Sequence, residues 1–457
     1  MLFIRVCLAL GLLTANIGAS AIALFTERVN VNPATGAQAD GISDAPVLSA
    51  DGCIVAFVSQ SGTLAPASYG LTKTSPSQIY AVDRCVTPHT IELVSVTADG
   101  LAAADQSAST PNISADGRYV SFMSAATNLP VAGSGHSGDA PFLFVRDRTS
   151  QTTFSPLQAW RPTANNNGGI GFDSTANIRY MSADASRFVF DFRSPPAVQQ
   201  NLYVVNYAGG VSTLQPICAT FDINCLTGTS DNLTISADGS SVLLQSTYAF
   251  AAGGSIGGFY SVYAYDVGSA VSTLVSVNAN GTPANQSVQP LTDIALSGDG
   301  KFAAFNAATA TNFPGNTGNT LMLKNRISGD LILVSAASNG TPVTISYGIA
   351  LPQLSDDGNR VVFTAENAIV PHLQQAGYDA VAIDFARGRV VSVCISSSGS
   401  FASAGCSRAT ISGDGKWAAF RSIANTLVQN DTNEEPDIFV VSVDPVLDDL
   451  YADGFER

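Results

Sequence analysis

The chain has 457 residues, 46% of them hydrophobic, and carries 36 acidic against 21 basic side chains for a formal net charge of −15. That balance argues against nucleic acid or an anionic membrane surface as a partner. Length alone would suggest two or three domains, but a phrase that recurs seven times assigns nearly all of the chain to one kind of unit.

Residues 1–23 read as a secretory signal: Arg5 gives a minimal positive start, Val6 to Leu13 a short apolar run, and Ala19-Ser20-Ala21 or Ala21-Ile22-Ala23 a small-residue cleavage site. The run is too short for a membrane span, and no later segment is long and apolar enough to cross a bilayer. Cys7 lies inside the run and is not placed like a lipid-modified cysteine. The expected product is therefore soluble and exported, periplasmic or extracellular, with 24–445 as its folded body and 446–457 as a short acidic tail.

The stretch Thr26-Glu27-Arg28-Val29-Asn30-Val31 reads as a strand. From there the repeat begins. Its copies are Leu48-Ser49-Ala50-Asp51-Gly52, Ile113-Ser114-Ala115-Asp116-Gly117, Met181-Ser182-Ala183-Asp184-Ala185, Ile235-Ser236-Ala237-Asp238-Gly239, Leu296-Ser297-Gly298-Asp299-Gly300, Leu354-Ser355-Asp356-Asp357-Gly358 and Ile411-Ser412-Gly413-Asp414-Gly415. The steps from Asp to Asp are 65, 68, 54, 61, 58 and 57 residues. Six residues beyond each Asp stands Phe57, Phe122, Phe190, Leu244, Phe305, Phe363 or Phe420, with Val55, Val120, Phe188, Val242, Ala303, Val361 or Ala418 two before it. A period of two puts both on one face of a strand, and Asp-Gly is a tight-turn signal, so each phrase predicts a β-hairpin. In the third copy Ala185 replaces the glycine, which predicts a different or a strained turn.

A third strand follows each hairpin, as in Ile79-Tyr80-Ala81-Val82-Asp83 and Ile438-Phe439-Val440-Val441-Ser442. A fourth follows in turn, as in Ile91–Val96, Ser272–Val277 and Leu331–Ala336. Four antiparallel strands make one propeller blade, and seven blades can close radially. The last unit has little room for a fourth strand, so the N-terminal strand is expected to complete it. The predicted fold is all-β: a seven-bladed β-propeller of four-stranded antiparallel blades.

Six cysteines lie beyond the signal. An even number in an exported chain predicts disulfides, and the repeat geometry suggests Cys53 with Cys85, Cys218 with Cys225, and Cys394 with Cys406.

Ser-x-Asp-Gly, a phenylalanine after four intervening residues, and an Ile-Phe-Val-x-Asp strand together resemble the WD-like propeller repeat of TolB-like proteins. The resemblance covers about residues 26–443 and implies the propeller fold. It says little about activity, because members of the family serve several roles. The larger α/β domain of the envelope protein of this type and the hydrolase domain of propeller peptidases have no counterpart in the repeat array. The tail Asp448–Arg457 is similar to short acidic-aromatic endings of some exported bacterial proteins.

Catalytic candidates are sparse. His89, His136 and His372 fall in loop-like segments, and a nucleophilic triad needs such a base beside a Ser or Cys. In the sialidase box a residue separates Asp from Gly; here Gly follows Asp directly, so the match fails. Asp431-Thr432-Asn433-Glu434-Glu435-Pro436-Asp437 alternates oxygen ligands like the start of a calcium loop but lacks its glycine and its terminal bidentate Glu. A polar inter-strand loop is the simpler reading. Gly253-Gly254-Ser255-Ile256-Gly257-Gly258 has no following Lys and helix, so it is no phosphate cradle. Gln158 to Tyr180, with Trp160 and Asn165-Asn166-Asn167-Gly168-Gly169, is the least regular connection. No cofactor and no metal are expected. The turn aspartates Asp51, Asp116, Asp184, Asp238, Asp299, Asp357 and Asp414 are expected to be structural. The expected role is that of an exported, monomeric, non-enzymatic scaffold that presents a disc face or the channel mouth to a protein or glycan partner. The alternative is a hydrolase or lyase acting on polysaccharide or peptide at the central channel.

Overall fold

The structure is a computed structural model. It describes residues 25–130, 142–157, 170–171, 179–194, 199–217, 230–251, 259–288, 294–307, 310–316, 318–336, 340–345, 351–366, 369 and 378–444. The predicted signal and tail, Cys218, Cys225, His136, His372, Trp160 with its Asn-rich neighbours, and the Gly253–Gly258 run lie outside those residues.

The described residues form seven four-stranded sheets, each antiparallel. Blade 1 runs outward through Ser43–Leu48, Ile54–Ser59, Gln78–Asp83 and Thr90–Leu93. Blades 2 to 6 repeat this order, and blade 7 takes its outermost strand from the start of the chain. That strand, Thr26–Arg28, pairs antiparallel with Asp437–Ser442, Glu27 standing opposite Val440. The expected closure is present. Side chains reinforce it: Arg28 Nη1 pairs with Asp431 (2.9 Å) and Asp437 (3.2 Å), and Asn30 Nδ2 donates to Asp437 (2.6 Å) and to Ser43 Oγ of blade 1 (3.0 Å). The ring is thus joined by side chains that reach from the first strand to both blades 7 and 1.

The predicted phenylalanines make the blade interiors. Phe57, Phe122, Phe190, Phe305, Phe363 and Phe420, with Leu244, are all buried. Register sets the partner of each: Phe57 stands opposite Tyr80, Phe122 opposite Phe144, Phe190 opposite Tyr203 and Phe420 opposite Phe439. These four pairs stack with centroids 5.6–6.0 Å apart. Cross-strand aromatic pairs of this kind contribute about 0.5–1.5 kcal/mol each beyond their burial.

The fourth strands are shorter than the sequence predicts, ending at Leu93, Leu274 and Leu333. A serine ends each ladder: Ser95, Ser276 and Ser335 Oγ accept the backbone N–H of Ile79, Val262 and Leu321 at 2.9, 3.1 and 3.0 Å. The chain then closes a small turn through single bridges such as Val96 to Ala103 and Val277 to Pro283. In blade 3 the segment before the turn is reduced to a bridge between Met181 and Phe188, with Ile170–Gly171 pairing farther along.

Two of the expected disulfides are formed. Cys53–Cys85 joins two turns at one end of blade 1, and Cys394–Cys406 ties the end of blade 6 to the start of blade 7, with Cα atoms 5.2 and 6.0 Å apart.

Candidate functional site

The seven turns share one hydrogen-bond pattern. Asp51 Oδ1 accepts from Ser49 Oγ (2.6 Å) and from Cys53 N (2.9 Å), while Ser49 Oγ in turn accepts from Ile54 N (2.9 Å). The same three bonds recur around Asp116, Asp184, Asp238, Asp299, Asp357 and Asp414. Burial pushes the carboxyls of Asp184, Asp299 and Asp357 upward, but the hydrogen bonds outweigh it and hold all three below the usual range. An aspartate committed in this way has its Oδ1 spent on its own turn. Ala185 keeps the turn at φ 54°, with its N–H bonded to Ser182 O like the glycines of the other blades. Of the two expectations for that turn, the strained one describes it, since an L-residue there costs about 1 kcal/mol.

The residue between Ser and Asp has a role that the sequence did not announce. These residues line the axis, and one backbone hydrogen bond links each blade to the next at this level. Ala50 N–H donates to Ala115 O (2.9 Å), Ala115 to Ala183 (2.8 Å) and Ala183 to Ala237 (2.7 Å); Asp238 donates to Gly298 (3.1 Å), Asp299 to Asp356 (2.9 Å), Asp356 to Gly413 (2.8 Å) and Asp414 to Ala50 (2.8 Å). The result is a closed girdle around the channel. Small residues are needed because the strands converge here. The exception, Asp356, fits because its neighbours are glycines: a Cβ on Gly298 or Gly413 would lie 2.2 or 2.3 Å from its carboxylate oxygens.

Across the axis from Asp356, Arg179 of blade 3 donates from Nη1 and Nη2 to Asp356 Oδ1 at 3.3 and 3.4 Å. The space left inside the girdle is about 20 Å³, lined by Ala50, Ala115, Ala183, Ala237, Asp356 and Gly413 among others. That is room for about one water molecule.

The opposite end of the innermost strands is irregular. There the innermost strands carry non-glycine residues at positive φ six positions before the turn aspartate: Ala45 (52°), Thr110 (46°), Asn232 (59°), Leu351 (40°) and Arg408 (52°). The pairing register shifts at this point in blades 1, 2, 4 and 7. Such bulges bend an innermost strand. Arg408 reaches from blade 7 to Asp44 of blade 1 (3.0 Å), with Arg421 4.0 Å from the same oxygen.

Two of the remaining candidates, the Asp431–Asp437 loop and His89, lie among the described residues. In the Asp431–Asp437 loop Asp431 pairs with Arg28, Asp437 with Arg28, Asn30 and Asn433, and Glu435 with Lys73, and among the described residues no group of three or more His, Cys, Asp or Glu side chains is placed to hold a metal ion. His89 Nε2 lies 3.9 Å from Glu27 on the outside of blade 1. No helix of the described residues is long and apolar enough to cross a membrane.

No family model and no curated protein matches this sequence. Among solved structures the chain is similar to the β-propeller domain of the trilobed protease from Pyrococcus furiosus (9% identity, 83% of this chain and 91% of that one, TM-score 0.46). It is also similar to a putative TolB from Agrobacterium tumefaciens (14%, 66% and 83%, 0.38) and to dipeptidyl peptidase 4 from Porphyromonas gingivalis (12%, 88% and 55%, 0.47). The similarity is one of propellers; the architecture itself is read directly from the seven sheets.

Proposed function

We propose that the protein is an exported, TolB-like scaffold that binds a protein or glycan partner on the disc face opposite the turn aspartates. Residues 1–23 serve as its signal and 446–457 as an accessory tail. The observation that carries this reading is a set of exposed apolar side chains on three successive blades. Ile42, Tyr378 and Ile423, at 41, 40 and 58% exposure, stand at the strand ends opposite the turn aspartates in blades 1, 6 and 7. Exposed apolar surface on a rigid frame favours binding over solubility. The two disulfides fit an oxidising compartment. A hydrolase or lyase working inside the channel is disfavoured by the space at the girdle, where a substrate would compete for about 20 Å³.

The test is affinity capture from envelope extract with the mature chain beside a triple variant, Ile42→Asp, Tyr378→Asp and Ile423→Asp. A partner retained by the wild type and lost by the variant supports the reading. Equal recovery by both, with the variant folded, would refute it.

A further inference from the structure

Two positions build the junction between neighbouring blades. The first is the third residue after the turn aspartate, which lies over the turn glycine of the next blade. A Cβ on Gly52 would lie 2.3 Å from Trp417, on Gly117 2.4 Å from Ile54, and on Gly358 2.3 Å from Phe302. Arg187 and Arg360 cover Gly239 and Gly415 in the same way. At the junction of blades 4 and 5 the covering residue is only Ser241, over Gly300.

The second position lies on the outermost strand and faces the residue that follows the third strand of the next blade. At the junction of blades 7 and 1 these two residues are Glu27 and Arg84, ion-paired; at blades 1 and 2 they are Glu92 and Arg148, also ion-paired. At blades 2 and 3, Phe154 stacks on Tyr207 with centroids 5.0 Å apart. At blades 3 and 4, Gln215 Nε2 donates to Val267 O at 2.8 Å. Ile332 with Phe385, and Val391 with Val443, share apolar clusters at the next two junctions but one.

Blades 4 and 5 alone break the pattern. Thr273 pairs with Ala264 in the register where Glu92 pairs with Ala81 and Glu27 with Val440, yet the residue it faces is again an arginine. Arg326 Nη1 donates to Gly300 O, as Arg84 and Arg148 Nη1 donate to Gly52 O (3.0 Å) and Gly117 O (2.7 Å). The guanidinium is therefore anchored alike in all three blades. At Arg84 and Arg148 the Nε meets a glutamate; at Arg326 no carboxylate of the described residues lies within ion-pair distance. Lys324, 5% exposed, is in the same condition: it donates to Gly329 O (2.5 Å) and Asn278 O (3.3 Å). Of the acidic groups nearby, Asp266 and Asp330 act on Arg326 and Lys324 only electrostatically, from beyond ion-pair distance, and accept from Ser269 and Ser328, while Asp299 pairs with Lys301 at 2.9 Å; Asp266 and Asp299 also line the adjoining cleft. Because Ser241 and Thr273 are small, a cleft of about 580 Å³ opens beside Lys324 and Arg326. That is within the range of small-molecule sites.

We propose that this cleft binds a small carboxylate-bearing ligand of sugar-acid size. Its carboxylate takes the place beside Arg326 that Glu27 and Glu92 fill beside Arg84 and Arg148. Lys324 supplies a second positive charge; Ser241 Oγ, which accepts from Arg326 Nη1 (3.3 Å), keeps a proton to donate, and Thr273 Oγ1, which donates to Ala264 O (3.4 Å), keeps lone pairs to accept from a polyol. A guanidinium suits a carboxylate because its fork of donors matches two oxygens. This proposal does not rest on the scaffold reading, since the cleft lies at the turn end of the disc and Ile42, Tyr378 and Ile423 at the other.

The test is calorimetric titration of the full mature chain with sodium glucuronate, glucose and sodium sulfate. Saturable glucuronate binding is expected, with glucose at least about tenfold weaker. Thr273→Glu should reduce glucuronate affinity by at least about tenfold, because it installs the missing carboxylate at an exposed strand position. It should do so without lowering the melting temperature, and Arg326→Gln should weaken binding by a similar factor. Absence of saturable glucuronate binding would overturn the proposal. So would equal binding of glucose, displacement by equimolar sulfate, or unchanged affinity in Thr273→Glu.

Discussion

Two junctions of this ring use the same arginine in the same pose and end in opposite conditions. Between blades 1 and 2, Arg148 is anchored on Gly117 O and closed off by Glu92, while Ile54 covers the turn. Between blades 4 and 5, Arg326 is anchored on Gly300 O, but Thr273 and Ser241 leave a cleft where the glutamate and the covering side chain would stand. The backbone is the same in both. What differs is two side chains, one in each position that builds a junction. A propeller therefore carries seven equivalent places at which a site can be opened by small substitutions, without disturbing the girdle that holds the ring.

The largest effect is expected at a third arginine junction. Between blades 7 and 1 the Glu27–Arg84 pair is part of the strand that closes the ring, and Arg84 also lies 3.9 Å from the Trp417 ring centroid. Deleting residues 24–31 removes the strand pairing, the pair and the Asn30 bonds together. The melting temperature should fall by more than ~10 °C, as scanning calorimetry would show. An unchanged melt would mean that closure depends on the girdle alone.

Blade 6 supplies the pH-dependent background for any junction measurement. Asp379 is buried, its Oδ1 accepts from Ser392 Oγ at 2.9 Å, and its Oδ2 is among the buried polar atoms with no hydrogen-bond partner. Burial pushes its carboxyl up to about 7, against the opposing effect of the Ser392 bond. The folded chain then holds this proton over a pH range in which the unfolded chain, with a carboxyl near ~3.9, has lost it. Stability contributed by the neutral form is therefore fully present below about pH 4 and lost as pH rises to about 7. Asp379→Asn should remove that decline and gain on the order of 2 kcal/mol at pH 8 relative to wild type. Parallel pH profiles in the two chains would contradict the assignment.

Next in size, Ser241→Ile gives blades 4 and 5 the covering residue of blades 1 and 2. Filling the cleft from this side should raise stability by ~0.5–1 kcal/mol in urea unfolding. It should also weaken glucuronate binding. A loss of stability would show that the cleft is held open by packing around it rather than by the small side chain.

Much of this was readable in the sequence, and for a reason. Phe57 and its six counterparts sit at a fixed distance from turns whose Ser and Asp bond each other, so hairpin, core face and blade number follow from spacing alone. Closure was readable because Thr26–Val31 copies a fourth strand. The girdle was not. It depends on contacts between residues 54 to 68 positions apart and, where Asp414 meets Ala50, 364 apart, and Ala50, Ala115 or Gly298 are too ordinary to suggest it. The insertion of Asp356 into this series was visible, but its fit between Gly298 and Gly413 has meaning only in the closed ring. The positive-φ positions Ala45, Thr110, Asn232, Leu351 and Arg408 share no residue type and left no signal. The open junction did leave one: Ser241 follows its turn aspartate where Ile54, Tyr119, Arg187, Phe302, Arg360 and Trp417 follow theirs. Its significance required the register that sets Thr273 against Arg326.

The most direct test of the junction account is a pair of double-mutant cycles, one between Glu92→Thr and Arg148→Met, the other between Thr273→Val and Arg326→Met. Both pairs are partly exposed, so the first coupling should be modest, about 0.5–1 kcal/mol in favour of the wild-type pair, and the second near zero. Equal coupling in the two cycles would contradict the claim that blades 1 and 2 are closed by a carboxylate that blades 4 and 5 lack.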